Sequence, residues 1–216
     1  MLLSSALALA LAPGVSARPT RGSVDVDYGS LRCPEDGAST LPTPTYGIDG
    51  AVFGVCAQLV VDVPSHALLA AILDFQSYGR WNSFVVDVAL PANVSATPDD
   101  LYPEMPMRFT SRGLLGSLNT TSAEVLTYFS SLASPPSSVR DAYLVVWRYD
   151  DGIGGIGSRA EHPNVLVDLR NGSTHLLSYE TYYSGWTTGA IALLKKRLQA
   201  AFEAQARDLK AYVEGR

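Results

Sequence analysis

The C-terminal segment from about Thr187 to Val213 constrains the fold of this chain more than any other feature. Its apolar residues recur three and four positions apart, and its charged residues fall mostly on the other side. This pattern predicts one long amphipathic helix. Such a helix buries its apolar stripe only against a broad apolar surface, and a curved antiparallel sheet supplies one.

Seven segments before this helix have the composition of β-strands. They are predicted at residues 52–63, 84–90, 105–112, 122–132, 142–149, 157–168 and 174–183. Helix formers at 67–75 and a turn around Tyr78 and Trp81 separate the first strand from the second. The order predicts an α+β helix-grip fold. A curved antiparallel sheet of six to seven strands would wrap around the long C-terminal helix, with two short helices after the first strand and a cavity between sheet and helix.

The N-terminus has the pattern of a secretory signal peptide. Residues 2–12 form a short apolar run, and Val15–Ala17 offers the small residues of a cleavage site. We expect cleavage after Ala17 and export from the cell. A membrane-anchoring or unstructured tail is the alternative.

The chain then divides into an irregular N-terminal extension and one folded domain. Residues 18–50 are rich in Pro, Gly, Ser and Thr without apolar periodicity, and residues 51–216 carry the predicted strands and helices. The two cysteines, Cys33 and Cys56, lie on either side of this boundary. In an oxidising compartment an even cysteine count suggests one disulfide, and two unpaired thiols are the alternative.

Three acceptor sequences for N-linked glycosylation support the secretory route. They begin at Asn93, Asn119 and Asn171, each in a predicted loop or strand end. Such sequences also arise by chance, so they add modest support to the expectation of a secreted glycoprotein.

The charge distribution argues against binding to nucleic acid or to anionic lipid. The formal net charge is -5 and the basic residues are scattered, whereas both partners require clustered Lys and Arg. No apolar run is long enough for stable insertion into a membrane. The three histidines lie far apart without ligand spacing, and the glycine-rich segment 152–157 precedes a strand rather than a helix. We therefore expect no metal or cofactor, and the oligomeric state stays open.

Several short motifs occur in a characteristic order. They are Val63-Pro64, Tyr78–Val85, Val146-Trp147, Arg159–His162, Gly172–Gly185 and Phe202–Glu214. Together they resemble the SRPBCC superfamily, also called START-like or polyketide cyclase/dehydrase-like, over about residues 52–214. The sequence departs from the family pattern at Leu68 and Ser83, where Val and Pro are common. The resemblance implies a helix-grip fold with an apolar pocket, in a family that includes ligand carriers, lipid and quinone binders and aromatase/cyclases.

Strand alternation sorts the candidate cavity residues. Tyr143, Trp147 and Tyr149 share one face of their strand, and this aromatic face is the better candidate for the cavity wall. In the next strand Glu161 and His162 point to opposite faces. Alternation by itself leaves open which of these two faces inward.

A cyclase of this kind needs orientation of its substrate and an acid/base group. The catalytic candidates are His162, Glu161 and Glu180. The candidates for ligand binding are Trp147, Tyr149, Tyr143, Arg108, Arg159, Tyr182 and Gln205. The arginines would stabilise an oxyanion, and Gln205 interrupts the apolar stripe of the last helix. For each residue, a place in the core or on the solvated surface is the alternative.

The function expected from this resemblance is binding of a hydrophobic small molecule in an internal cavity. A cofactor-independent cyclase/isomerase or dehydratase would act there on a polyketide- or terpenoid-like intermediate of specialised metabolism. The alternatives are a secreted, non-catalytic carrier of a lipid, sterol or quinone, and a surface-interaction protein with an incidental pocket. An enzyme predicts an ionisable group with a shifted pKa inside the pocket, whereas a carrier predicts an almost wholly apolar lining.

Overall fold

The computed structural model describes residues 26–132, 142–149 and 156–215. The predicted signal peptide, the first part of the extension and most of the glycine-rich segment lie outside these residues. The strands are β1 (Ala51–Val61), β2 (Val85–Ala89), β3 (Met105–Gly113), β4 (Gly116–Leu132), β5 (Ala142–Tyr149), β6 (Arg159–Asp168) and β7 (Thr174–Tyr183). They form one antiparallel sheet in the order β1-β7-β6-β5-β4-β3-β2.

The helices lie on one side of this sheet. Within the described ranges they are α1 (Ser65–Leu73), α2 (Tyr78–Trp81), α3 (Thr188–Ala192) and α4 (Lys195–Glu214). The apolar stripe of α4, which includes Leu198, Phe202 and Leu209, is buried in the main core on the concave face. The predicted α+β helix-grip architecture is confirmed, including the two short helices that follow β1.

The C-terminal helix is shorter than predicted. The chain bends at Leu193 and Leu194, whose backbone N–H groups donate to Ala190 and Ile191 three residues earlier. This tighter hydrogen-bond pattern ends α3 and starts a new helix at Lys195. As a result α3 closes one end of the space beneath the sheet, while α4 lies along it.

Strand β4 begins at Gly116 rather than at residue 122, where the sequence predicted its start. The segment 116–121 carries few apolar side chains, so its composition contains little strand signal. Its pairing with β3, for example Ser111 opposite Thr120, imposes the extended conformation. The two strands therefore form a hairpin that extends beyond the core.

Side chains of α4 cover the free edge of β1. The Gln199 side chain accepts from the Cys56 N–H at 3.0 Å and donates to the Cys56 carbonyl oxygen at 2.7 Å. Further along, Lys210 Nζ donates to the Val60 carbonyl oxygen at 2.7 Å. An unpaired strand edge is a template for aggregation, and here helix side chains satisfy part of it.

The sheet is buried on its convex face as well. Apolar side chains of β5, β6 and β7 form a second cluster there, and the N-terminal extension packs against it. The extension contributes Tyr28, Leu31, Cys33 and Leu41. The central strands are therefore covered on both sides, which matters for the orientation of the candidate residues.

A disulfide between Cys33 and Cys56 holds the extension to β1. Disulfides form and persist mainly in oxidising environments. By the loop-entropy argument, closure of this loop stabilises the folded chain by about 3 kcal/mol. The disulfide suggested by the even cysteine count is thus confirmed, and the alternative of two unpaired thiols is wrong.

The three acceptor sequences for N-linked glycosylation lie at the surface of the described chain. Asn93, Asn119 and Asn171 are all exposed, as attachment of a glycan requires. No helix in the described parts of the chain is long and apolar enough to cross a bilayer. Glycosylation and cleavage of the signal peptide stay predictions.

Candidate ligand cavity

A cavity of about 230 Å³ lies between the concave face of the sheet and helices α3 and α4. Its walls include the aromatic side chains Phe84, Phe109, Trp147, Tyr149, Tyr182 and Phe202. Alternation along β5 places Trp147 and Tyr149 in this wall, as predicted. Tyr143 shares their face but packs at the edge of the core rather than lining the cavity.

A larger groove, of about 500 Å³, lies between the extension, β1, β7 and the start of α4. We assign the candidate site to the interior cavity because His162, Glu124, Glu180 and Tyr182 all line it. Convergence of titratable groups in an apolar cavity is typical of functional sites. Of these four, only Glu180 also borders the groove.

Glu180 is an acidic group inside this apolar cavity. It lies on the inner face of β7, where the Tyr182 hydroxyl donates a 2.6 Å hydrogen bond to its Oε2. Burial raises the pKa of Glu180 to about 7, although the bond from Tyr182 acts in the opposite direction. The ring of Tyr182 is in turn stacked on Phe53, with centroids 4.5 Å apart, so its position is set by packing.

Glu124 is a second buried carboxyl group in the cavity wall, and the sequence analysis missed it. It lies on β4 opposite Tyr149 of β5 and is only 6% exposed. Its charge, like that of Glu180, raises the pKa of Tyr182 above the ordinary value, although burial of the phenol contributes most to that shift. Strand alternation could have identified it. Glu124 is two residues from Leu126, so the two side chains share one face of β4, and Leu126 is fully buried there.

His162 faces inward from β6 and is held on several sides. Its ring lies 4.4 Å from the Trp147 ring and 4.6 Å from the Phe202 ring, measured between centroids. Its Nε2 is 2.9 Å from the Ser178 hydroxyl oxygen. Burial lowers the pKa of His162 to about 3, and a hydrogen bond with Asn164 opposes this only in part. The imidazole is therefore neutral at physiological pH.

Gln205 lines the cavity from α4 and is 8% exposed. Its Oε1 is buried and has no hydrogen-bond partner among the residues that the structure describes. A buried acceptor without a donor costs free energy. Gln205 is thus a polar residue of the cavity wall whose side-chain carbonyl oxygen is unsatisfied within the described part of the chain.

Three predicted site residues lie outside the cavity, and these predictions are corrected. Glu161 faces the convex side, where its carboxylate accepts bonds of 2.9 Å from the Thr45 N–H and 2.6 Å from the Thr45 hydroxyl. Arg108 is exposed on the outer face of β3. Arg159 is exposed, with its guanidinium 5.7 Å from the centre of the Tyr46 ring. Alternation along their strands turns all three side chains away from the concave face.

No group of His, Cys, Asp and Glu side chains with the arrangement of a metal site occurs among the described residues. In the same part of the chain, no lysine or arginine lines the interior cavity. Its polar lining consists of carboxyl, amide, imidazole and hydroxyl groups. The cavity can therefore bind the apolar body of a ligand and accept hydrogen bonds from donor groups attached to that body.

The fold is that of START-like helix-grip proteins, and solved structures share it at low sequence identity. A hypothetical protein of Helicobacter pylori, jhp0584, has a TM-score of 0.60 at 14% identity, over 81% of this chain and 96% of its own. The Zhui aromatase/cyclase of a Streptomyces species has a TM-score of 0.51 at 11% identity, over 74% of this chain and 93% of its own. Human STARD10 has a TM-score of 0.50 at 11% identity, over 84% of this chain and 76% of its own.

No family model matches the sequence of this chain, and no curated protein matches it either. The similarity therefore establishes the fold class, a START-like helix-grip domain with an interior cavity. Activity has to be argued from the side chains in that cavity.

Proposed function

We propose that this protein binds a hydrophobic small molecule in the interior cavity and acts on it as a cofactor-independent enzyme of the cyclase or isomerase kind. The observation that carries the proposal is the Glu180 carboxyl group, held by the Tyr182 hydroxyl inside an aromatic cavity. We propose as substrates the polyketide- or terpenoid-like intermediates of specialised metabolism. Fold likeness to a protein named as an aromatase/cyclase is compatible with this.

Glu180 has the properties of a proton-transfer group at neutral pH. With a pKa raised to about 7 by burial, both its protonated and its ionised forms are populated near neutrality. A general acid or base is most effective under that condition. His162 is neutral throughout this range, and we propose that it positions the aromatic wall and the substrate rather than donating a proton.

The lining favours an enzyme over a passive carrier. A carrier of a lipid, sterol or quinone needs apolar walls. Burial of Glu124 and partial burial of Glu180 in the wall cost desolvation free energy without strengthening the binding of an apolar ligand. A role in proton transfer would account for carboxyl groups in this wall.

A base-dependent model reaction tests Glu180 without knowledge of the natural substrate. In nitrobenzisoxazole, a carboxylate takes the ring C–H proton, the N–O bond breaks, and a coloured phenolate bearing a nitrile is released. We expect the catalysed rate to rise with pH through about 7, since the ionised form of Glu180 is the base.

Glu180→Gln should reduce that rate at least about tenfold, the usual minimum for loss of a general base. Glu35→Gln changes an exposed carboxyl of the extension and serves as the matched control. If Glu180→Gln folds and keeps the full rate, Glu180 is not the base and the proposed enzymatic function fails.

We also propose that the protein acts outside the cytosol. The disulfide between Cys33 and Cys56 supports an oxidising compartment. After expression in a eukaryotic host, the protein in the medium should begin at Arg18 and lose mass on treatment with a glycosidase that removes N-linked glycans. A chain retained in the cell with its first residues intact would contradict export.

A further inference from the structure

We propose that the ligand of the interior cavity is an amine with an aromatic or alicyclic body, bound in its protonated form by Glu124. A second N–H or O–H group of this ligand would donate to Gln205 Oε1. The inference rests on the proposed ligand-binding function and specifies its substrate class.

The charges of the lining favour a cation. Glu124 and Glu180 both line the cavity, whereas no lysine or arginine of the described residues does. Arg108 and Arg159, the arginines expected to stabilise a negative charge, lie on the other face of the sheet. An anionic ligand would therefore meet like charges in a medium of low dielectric constant, and an ammonium group would meet opposite ones.

Gln205 independently indicates a ligand with hydrogen-bond donors. The Gln205 side chain lines the cavity, and its buried Oε1 has no hydrogen-bond partner among the described residues. A buried acceptor of this kind is usually satisfied by a donor or by water. An amine ligand brings such donors, whereas a hydrocarbon or a quinone does not.

The register of the strands places the backbones of Glu124 and Tyr182 at opposite ends of one row. Glu124 of β4 pairs with Tyr149 of β5, Tyr149 with Ala160 of β6, and Ala160 with Tyr182 of β7. Three strand spacings, or ~14 Å between Cα atoms, lie between the ends of this row. The small side chain of Ala160 leaves space between the two tyrosines.

This geometry gives the two glutamates different roles. An ammonium group at Glu124 lies beside Tyr149, and aromatic faces attract cations. The body of the ligand then extends along the row toward Tyr182 and Glu180. Glu124 would thus bind the charge, while Glu180 stays available for proton transfer.

Three probes with the same ring system test the charge preference on the unmodified protein. They are naphthylmethylamine, naphthylmethanol and naphthoate, which carry a positive charge, no charge and a negative charge at neutral pH. Titration calorimetry should give a dissociation constant for the amine at least about tenfold below that of the alcohol, with naphthoate the weakest, as expected for close charge pairs in a desolvated site.

Glu124→Gln keeps the size of the side chain and removes its charge. In this variant we expect the amine to bind within about threefold of the alcohol, whose affinity should change little; Glu35→Gln is again the control. The inference is wrong if the alcohol or naphthoate binds the wild-type protein as tightly as the amine does. It is also wrong if Glu124→Gln retains the full preference.

These outcomes are distinguishable from failure of the proposed function. Loss of the amine preference together with proton transfer by Glu180 would overturn the ligand class and leave the enzyme standing. Absence of binding by all three probes, together with absence of proton transfer by Glu180, would overturn both.

Discussion

The Tyr182 hydroxyl donates a 2.6 Å hydrogen bond to Glu180 Oε2, and the Tyr182 ring is stacked on Phe53. The donor is therefore fixed by aromatic packing before any ligand enters. The bond favours the ionised form of Glu180, whereas burial favours the protonated form, and burial has the larger effect. The balance leaves the pKa of Glu180 close to neutrality.

Tyr182→Phe should shift the pH dependence of the model proton transfer. The variant keeps the ring and its stacking but removes the donor, so the pKa of Glu180 should rise above about 7. We expect the midpoint of the pH–rate profile to move upward, while a rate at high pH remains. A midpoint that stays in place or moves downward would show that the bond does not control this group.

Glu180→Gln should change how stability depends on pH. The folded protein holds a proton on Glu180 up to about pH 7, whereas the unfolded chain releases it near the ordinary pKa of 4.5. The free energy of unfolding of the wild-type protein therefore falls as pH rises between these values, by roughly 3 kcal/mol at most. Urea denaturation at about pH 5 and pH 8 should show a smaller fall in the free energy of unfolding for Glu180→Gln than for the wild-type protein. Parallel curves for the two proteins would count against a raised pKa.

His162 should stay neutral well into the acid range. Burial between Trp147 and Phe202 lowers its pKa to about 3, so the unfolded chain takes up a proton at a higher pH than the folded protein does. Stability is then lost as pH falls below about 6.5. NMR of ring-labelled histidine should detect a neutral imidazole at about pH 5, with His162→Phe to assign the signal. A charged ring at that pH would contradict the expectation.

The free energy of unfolding should depend on the disulfide that holds the extension to β1. Replacement of both cysteines, Cys33→Ser with Cys56→Ser, removes the covalent closure of the loop. The free energy of unfolding should fall by about 3 kcal/mol in chemical denaturation. Because the cavity lies on the opposite face of the sheet, binding of a naphthalene probe should persist under conditions where the variant is folded. A variant as stable as the wild type would argue against this contribution.

The architecture could be predicted because its signals are local and periodic. The amphipathic stripe of the last helix and the order of the strands follow from residues close together in the sequence. The aromatic face of β5 was identified by alternation, and the structure places Trp147 and Tyr149 in the cavity wall.

The catalytic candidates required more than periodicity. The extension covers the convex face, so β6 is buried on both sides from Ala160 to Val167. Hydrophobic alternation identifies an inner face only when the other face meets water. For this reason alternation alone does not decide between Glu161 and His162, which face opposite sides of the sheet.

The amino-acid sequence by itself thus determined a helix-grip fold and the aromatic character of one wall, and it left the pairing of the two cysteines to the structure. Only the tertiary structure decided that Glu124 and Glu180 face the same cavity from β4 and β7, while Glu161, Arg108 and Arg159 face away from it. The physical reason is that strand register and the packing of the extension are non-local. They fix which face of each strand is concave. Where both faces of a strand are buried, as in β6, alternation within that strand does not contain this information.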